Sequence, residues 1–450
     1  MMVNTDMVEN KSVAILTQLA DLPRSYGVVP VVLNQLDMLV KYNWNVDFHT
    51  VKGFKNHPDS KLIPVKVNIM DDVPFCHIFD YQNGVPVQEN DVDGVGKHGD
   101  PNVTNFNRQV KLIEDTLEPI LKNNETIITH DAIFQGWYAT HNQAYRNIAA
   151  KNPKIRWVHW LHSGPSSRPT SINYPTSLRF SAFPNSVLVS PNETMTSKFA
   201  EMYNMPKKLV KVVYHTFDPV KFFDMHQWSK NMVEKYDLIN CDALAVWATR
   251  IDHLEGKGMF YAMRLLGQLN KLANVKMLFL NSWSNHEGAR TNIKRLKEEA
   301  AKWGTPEGNL VLSSEMGQEY ELGVPKQVVR DMLMIGDMFI FPSQSETFSL
   351  SMIEAAACKN MMILNEDLEV LKELNGPRAD YFKSNAEWGG IRYNTSYDAG
   401  EDTYWMGKAQ EFWKAYQSYK PLQQHRHVLK YYNNDWVMQN QLIPILTGKW

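Results

Sequence analysis

The sequence predicts an α/β protein built from two parallel-sheet domains, and three observations carry that expectation. Short apolar runs alternate with longer amphipathic segments along most of the chain, as strands joined by crossover helices do. The alternation pauses at Asp218-Pro219, which reads as a linker, and then restarts. The stretch from Asp337 to Asn365, DMFIFPSQSETFSLSMIEAAACKNMMILN, holds a complete strand, loop, helix and strand by itself.

Composition narrows the class. A chain of 450 residues is too long for one core. Charged residues at 21 % and hydrophobic residues at 44 % are the balance of a globular protein. A formal net charge of −2 argues against a protein dominated by binding to a phosphate backbone, while leaving room for a local basic face. Cys76, Cys241 and Cys358 lack metal-ligand or CxxC spacing and read as buried thiols of a reducing compartment. No apolar run is long enough to span a bilayer, and the N-terminal MMVNTDMVENK has no signal-peptide core, so a cytoplasmic location is expected.

In chain order, SVAILTQL is the first buried strand, and a loop leads to a helix from Val28 to about Tyr42. Pro30 suits its first turn. Gly27 stands where the backbone turns into a helix N-terminus or approaches a ligand closely; a plain turn glycine is the other reading. NVDFHTV gives a second strand, and the Gly/Asp/Asn-rich residues 85–104 read as a surface loop. A helix from Asn105, strand ETIITHD, a second helix and strand IRWVHWLHSG complete the alternation. His130, His159 and His162 fall near strand ends. His159 and His162 are an odd spacing apart and face opposite sides of a strand, which disfavours zinc. His162 is either a hydrogen-bonding or catalytic group of a cleft or a satisfied core histidine. The loop at 163–180 interleaves Arg168, Tyr174, Arg179 and Phe180, a mixture that stacks on sugars or bases but also occurs on ordinary surface loops.

After the linker, strand DALAVWATRID ends near Arg250, and the loop HLEGKG carries Lys257 into a helix. Two cations beside a helix N-terminus form a natural cradle for a diphosphate, each charge-assisted contact contributing about 1.5–3 kcal/mol. The charged helix TNIKRLKEEAAKWG reads as a solvated face. The stretch Asp337–Asn365 then brings two carboxylates, Glu346 and Glu354, to either side of a helix start. In parallel sheets ligands sit beyond the carboxyl ends of the strands. Glu354 also fits a capping box with Ser351, so both roles stand open from the local pattern.

These blocks resemble the donor-binding domain of retaining glycosyltransferases of the GT-B fold, especially glycosyltransferase family 4. That family carries Gly-Arg at a strand end, Lys-Gly shortly after, and Pro-Ser-x-x-Glu-x-Phe-Gly-Leu with a second Glu eight residues on. Here the same order reads Thr249-Arg250, Lys257-Gly258 and Pro342 to Leu350, with Glu354 completing E-x7-E. The first half is similar more loosely, through Ser25-Tyr26-Gly27-Val28, Trp160-Leu161-His162-Ser163 and His215-Thr216-Phe217-Asp218. Thr249 and Ser349 replace glycines, and Cys358-Lys359-Asn360 replaces a Cys-Gly.

The resemblance implies two Rossmann-like doubly wound domains facing a cleft, with residues 1–218 on the acceptor side and 219–424 holding the donor. A C-terminal helix, residues 425–450, would cross back to the first domain. It implies transfer from a UDP- or GDP-linked sugar with no metal, Arg250 and Lys257 stabilising the diphosphate together with the helix start near Ser349. Glu346 would contact the donor sugar, with His162 as a further catalytic group, and Glu354 would hold the ribose. Gly27, Thr347, Phe348, Ser349 and Leu350 would line the donor site, and Arg168, Tyr174 and Arg179 the acceptor. The acceptor is either a saccharide or small-molecule hydroxyl, or a hydroxymethylated DNA base as in phage DNA glycosyltransferases; a phage enzyme would work in the host cytoplasm. A sugar-nucleotide epimerase and a non-catalytic sugar-nucleotide-binding protein are the alternatives.

Overall fold

A computed structural model describes residues 11–19, 22, 27–74, 101–134, 139–162, 178, 180–346, 349–384, 387–388, 391–392 and 401–448. The chain forms two compact units, one of Met1–Phe217 with Asn434–Trp450 and the other of Asp218–Asn433.

The first unit is a seven-stranded sheet in the order β3-β2-β1-β4-β5-β6-β7. Its strands are β1 Ser12–Leu16, β2 Asn45–Val51, β3 Asn68–Val73, β4 Thr126–His130, β5 Arg156–Trp160, β6 Ser186–Ser190 and β7 Val210–Val212. Every pairing is parallel. Alternate residues divide between two faces, as the pleat requires. Ala14 and Leu16 pack with Ile127, Trp157 and Leu188 on one side. Val13 and Ile15 pack with Ile128, Val158 and Val187 on the other, beneath the helix Val28–Lys41.

The chain's last segment completes that second face. Val437, Met438, Leu442, Ile445 and Leu446 join its core. Asp435 accepts from Lys41 at 2.9 Å, Gln441 Oε1 accepts from the Tyr214 N–H at 2.9 Å, and Arg156 donates to the Leu446 carbonyl. The return begins at Asn434 rather than at residue 425. The preceding helix Lys420–Tyr431 belongs to the second unit, where its Arg426 is buried.

The second unit has a six-stranded sheet in the order β10-β9-β8-β11-β12-β13. These are β8 Ala243–Arg250, β9 Val275–Ser282, β10 Leu310–Leu312, β11 Met338–Phe341, β12 Met361–Asn365 and β13 Asp380–Phe382, again parallel at every pairing. Both sheets reverse their strand order once, as doubly wound Rossmann-like domains do. The expected α/β class with two such domains is therefore present. Residues 85–100 of the expected surface loop lie outside the described residues, and 101–104 instead open the helix Pro101–Leu121. Among the described residues no helix is long and apolar enough to cross a membrane. Cys241 is buried and unbridged; Cys358 is also unbridged, and Cys76 lies outside the described residues.

One buried ion pair fastens the second sheet. Asp337, just before β11, accepts from the Leu244 N–H at 2.7 Å and from Arg426. The Asp337 N–H donates to the Leu244 carbonyl and its carbonyl accepts from Met361, so the residue touches the start of three strands. Arg426 also donates to the Ile335 and Ile239 carbonyls at 2.6 and 3.1 Å. Its side chain is 5 % exposed and that of Asp337 is 0 %. Removing one partner strands a buried charge. Asp337→Ala should cost about 3–5 kcal/mol in chemical denaturation; a cost under about 1 kcal/mol, the range of exposed pairs, would show that the pair does not fasten the sheet.

Candidate functional site

The second unit's strand order reverses between β8 and β11, and both chain segments leaving those ends carry the charged residues singled out from sequence. Arg250 is the last residue of β8, and Glu346 follows β11 across the turn Pro342-Ser343-Gln344-Ser345. Parallel pairing makes the two strands end on the same edge. This reversal is where ligands of doubly wound sheets bind.

The two loops meet closely. Gly258 caps the helix Met259–Asn270 with φ 65°, and a Cβ there would stand 2.1 Å from the Pro342 carbonyl oxygen. Gln344 N–H donates to the Gly256 carbonyl at 3.1 Å. Lys257 Nζ donates to Glu346 Oε1 at 2.6 Å, and Ser343 Oγ donates to the same oxygen at 2.8 Å. Glu346 Oε2 has no partner among the described residues, which leaves a carboxylate oxygen for a hydroxyl. Behind this turn, Asn365 Nδ2 donates to the Ser343 carbonyl at 3.0 Å and Gln344 Nε2 to the Ser384 carbonyl at 2.8 Å. The turn is thus held by buried amides on its inner side.

Arg250 is gripped by a residue the sequence reading did not single out. Its Nε and Nη2 donate to the two oxygens of Asp252 at 3.1 and 2.5 Å. This pairing holds Arg250 above the usual guanidinium range. Burial pushes the Asp252 carboxyl up, but the hydrogen bond from Arg250 and the nearby charges of His253 and Arg250 outweigh it and bring it below the ordinary range. The Arg250 guanidinium also lies 4.2 Å from the centre of the Trp283 ring. The i, i+2 spacing of Asp252 could have flagged the first partner; Trp283 is distant in sequence and gave no signal.

Glu354 does not belong to a capping box. The helix Leu350–Ala357 is capped by Ser349, whose Oγ accepts from the Met352 N–H at 3.4 Å, and Glu354 lies beyond the first turn. Its carboxylate is 30 % exposed and pairs with Lys326 of the preceding helix, Lys326–Ile335. Ser349 itself sits at φ 73°, ψ 91°, so this chain keeps at a serine a backbone shape suited to glycine. Leu350 is exposed. Thr347 and Phe348 lie outside the described residues, as do Arg168, Tyr174 and Arg179.

In the first unit a histidine cluster occupies the matching sheet edge. His130, at the end of β4, is 2.8 Å from His162 Nε2 through its Nδ1 and 2.9 Å from Gln35 Oε1 through its Nε2. A neutral imidazole donates through one nitrogen and accepts through the other. With Gln35 Oε1 accepting, the chain runs one way and leaves His162 Nδ1 an acceptor without a partner among the described residues. The His215 ring lies 5.1 Å from that of His162, tilted against it, and its Nε2 is buried with no hydrogen-bond partner among the described residues. Gln35 was not singled out from sequence, and His215 entered only as part of the block His215-Thr216-Phe217-Asp218. His159 lies apart from them: fully buried, it hydrogen-bonds Thr129 at 2.8 Å and packs against Phe183. Among the described residues no His, Cys, Asp or Glu group could hold a metal ion. Gly27 has helical φ and ψ and open space where a Cβ would go, so the local backbone does not require glycine there.

No family model matches the chain, and no curated protein does. Solved structures of similar form include sucrose-phosphate synthase from Thermosynechococcus elongatus, at 12 % identity and TM-score 0.36 over 98 % of this chain and 100 % of that one. Anabaena Alr3699/HepE, solved with UDP and glucose, gives 13 % identity and TM-score 0.33 over 98 % and 100 %. An α,α-trehalose-phosphate synthase (UDP-forming) from Burkholderia xenovorans, solved with glucose-6-phosphate, gives 12 % and 0.32 over 97 % and 100 %. At such scores these likenesses assign no reaction, ligand or residue role to this chain.

Two outcomes follow from the geometry. Ser349→Gly should stabilise the protein by about 1 kcal/mol, because relief of a strained φ outweighs the few tenths lost when glycine replaces a serine cap; unchanged or lower stability in urea would show that the conformation carries no strain. The second concerns pH. Burial first, then the charge of His215, lowers His162 to about 3, and burial followed by the charges of His162 and His215 holds His130 well below its usual value. Below about pH 6.5 the unfolded chain therefore takes up protons that the folded one does not, and stability present at neutral pH is lost as pH falls, by about 2 kcal/mol per such histidine at pH 5. His162→Gln should make stability less pH-dependent over that range, and an unchanged dependence would contradict the assignment.

Proposed function

We propose that the chain is a retaining, GT-B-type glycosyltransferase that moves a sugar from a nucleotide diphosphate sugar to an acceptor hydroxyl. The observation that supports this most is the convergence at one sheet reversal of two cations, a carboxylate and a helix start: Arg250, Lys257, Glu346 and the helix Leu350–Ala357. A diphosphate leaving group gains charge as its bond to the sugar breaks, and fixed donors aimed at that charge lower the barrier. Lys257 has three N–H donors, so it can hold Glu346 and still meet a phosphate oxygen. The first N–H groups of the helix and its positive end add to the cradle. With these charges supplied by side chains, the reading needs no metal.

Glu346 presents Oε2 to a hydroxyl of the donor sugar, and Glu354, reached by exchange with Lys326, accepts from the ribose diol. In the front-face reaction the acceptor oxygen bonds to the anomeric carbon on the side the diphosphate leaves, and the acceptor proton passes to a leaving phosphate oxygen. His162 Nδ1 supplies a further acceptor for a sugar or acceptor hydroxyl. The acceptor belongs to a saccharide or small molecule or to a hydroxymethylated DNA base, and Arg168, Tyr174 and Arg179, outside the described residues, are its candidate contacts.

The test is a screen of UDP-, GDP- and pentose-nucleotide sugars for consumption with and without acceptor. Consumption that depends on an acceptor supports transfer; turnover of the sugar nucleotide alone to its epimer, or binding without turnover, supports one of the alternatives. Retention on duplex DNA that vanishes at moderate salt would select the DNA acceptor. Arg250→Ala and Lys257→Ala should each cut turnover at least about tenfold, equivalent to about 1.4 kcal/mol of transition-state stabilisation. Full activity in either would remove the diphosphate cradle. Glu354→Ala should weaken nucleotide binding in calorimetry without lowering the melting temperature, and unchanged binding would reduce Glu354 to a surface ion-pair partner.

A further inference from the structure

Trp283 combines features that simple packing does not explain. It follows β9 with φ 61°, a backbone conformation that a bulky residue adopts only under constraint. It is 53 % exposed, so the strain is not compensated by burying the ring. The residues on either side are anchored. Ser282 pairs in register with Arg250 across β8 and β9. Ser284 donates its N–H to the Glu321 carbonyl at 2.7 Å, and its Oγ accepts from the buried Asn281 at 2.6 Å. Residue 283 is therefore held in its strained turn between anchored neighbours, and the turn brings the indole ring beneath the Arg250 guanidinium, whose carbon lies over the ring 4.2 Å from its centre.

Asp252 holds the same guanidinium by its edge through Nε and Nη2. The ring contact and the Nε/Nη2 edge are both in use, and Nη1 has no acceptor among the described residues. We propose that Trp283 is a positioning residue: with Asp252 it fixes the plane and direction of Arg250 so that Nη1 is the edge that meets a phosphate oxygen. This rests on the reading of Arg250 as part of a diphosphate cradle. A mobile arginine must be ordered when the ligand arrives, whereas a clamped one is ordered already, and the difference appears as affinity. Backbone strain kept at an exposed aromatic beside a candidate ligand group is the pattern expected where function maintains it.

The experiment uses calorimetric titration of UDP and of GDP into the full chain and its variants. Trp283→Gly removes the ring and, because glycine accepts a positive φ, relieves the strain. The expected result is a split: a melting temperature unchanged or raised, with nucleotide affinity weakened about three- to tenfold, the range of a cation–π contact. Trp283→Phe, which keeps an aromatic face, should recover most of that loss. In the Arg250→Ala background, Trp283→Gly should produce no further loss, since the ring acts only through the arginine. Additive losses, or a loss of affinity that tracks a fall in melting temperature, overturn the positioning role. So does full affinity in Trp283→Gly while Arg250→Ala binds weakly, and in that case the cradle stands. If neither nucleotide binds the unaltered protein, or Arg250→Ala binds as well as it does, the cradle itself falls and takes this inference with it.

Discussion

Residue 258 cannot carry a side chain, and the candidate site depends on that constraint. The Pro342 carbonyl occupies the space a Cβ would need. The loop after β8 can therefore press directly against the turn after β11. That approach brings Lys257, the preceding residue, within 2.6 Å of Glu346. With any other residue at 258 the two loops would separate, and the cation and the carboxylate would lie on unrelated surface turns. The sheet beneath supplies the complementary constraint. Asp337 and Arg426 fix where β8, β11 and β12 begin, and the strand lengths then set where their ends project.

The site's charges are balanced before any ligand arrives. Arg250 is paired with Asp252, Lys257 with Glu346 and Glu354 with Lys326. Partly exposed pairs of this kind contribute little to stability, so these are better understood as groups held in orientation. Arg250 and Lys257 each retain donors beyond the one or two their partner uses. An anion could therefore be recruited without fully breaking an existing pair, and in the proposed reaction only the excess of charge developing on the leaving group would need to be met.

Much of this organisation was legible in the sequence because it is periodic or local. The strand–loop–helix–strand unit from Asp337 to Asn365 forms as β11, the helix Leu350–Ala357 and β12, since uninterrupted apolar runs fit a sheet covered on both faces. Arg250 and Lys257 could be placed because each lies beside a strand end that the hydrophobic pattern marks. What escaped depends on non-local contacts. Trp283 meets Arg250 only because β9 lies beside β8, and Gln35 meets His130 only because the helix after β1 covers β4. The cap at Ser349 was missed in favour of Ser351, because sequence offers two serines and the choice turns on a strained φ that no local propensity favours. The return of the chain at Asn434 was placed too early, because the amphipathic pattern of Lys420–Tyr431 does not say which core it serves.

The proposed function requires the reversal point of the second sheet to hold a nucleotide diphosphate. A crystal structure of the protein grown with UDP tests it most directly. The diphosphate is expected within hydrogen-bonding distance of Arg250 Nη1 and Lys257 Nζ, with its oxygens toward the first turn of Leu350–Ala357 and the ribose toward Glu354. UDP bound elsewhere, with Arg250 and Lys257 still paired only to Asp252 and Glu346, would contradict it.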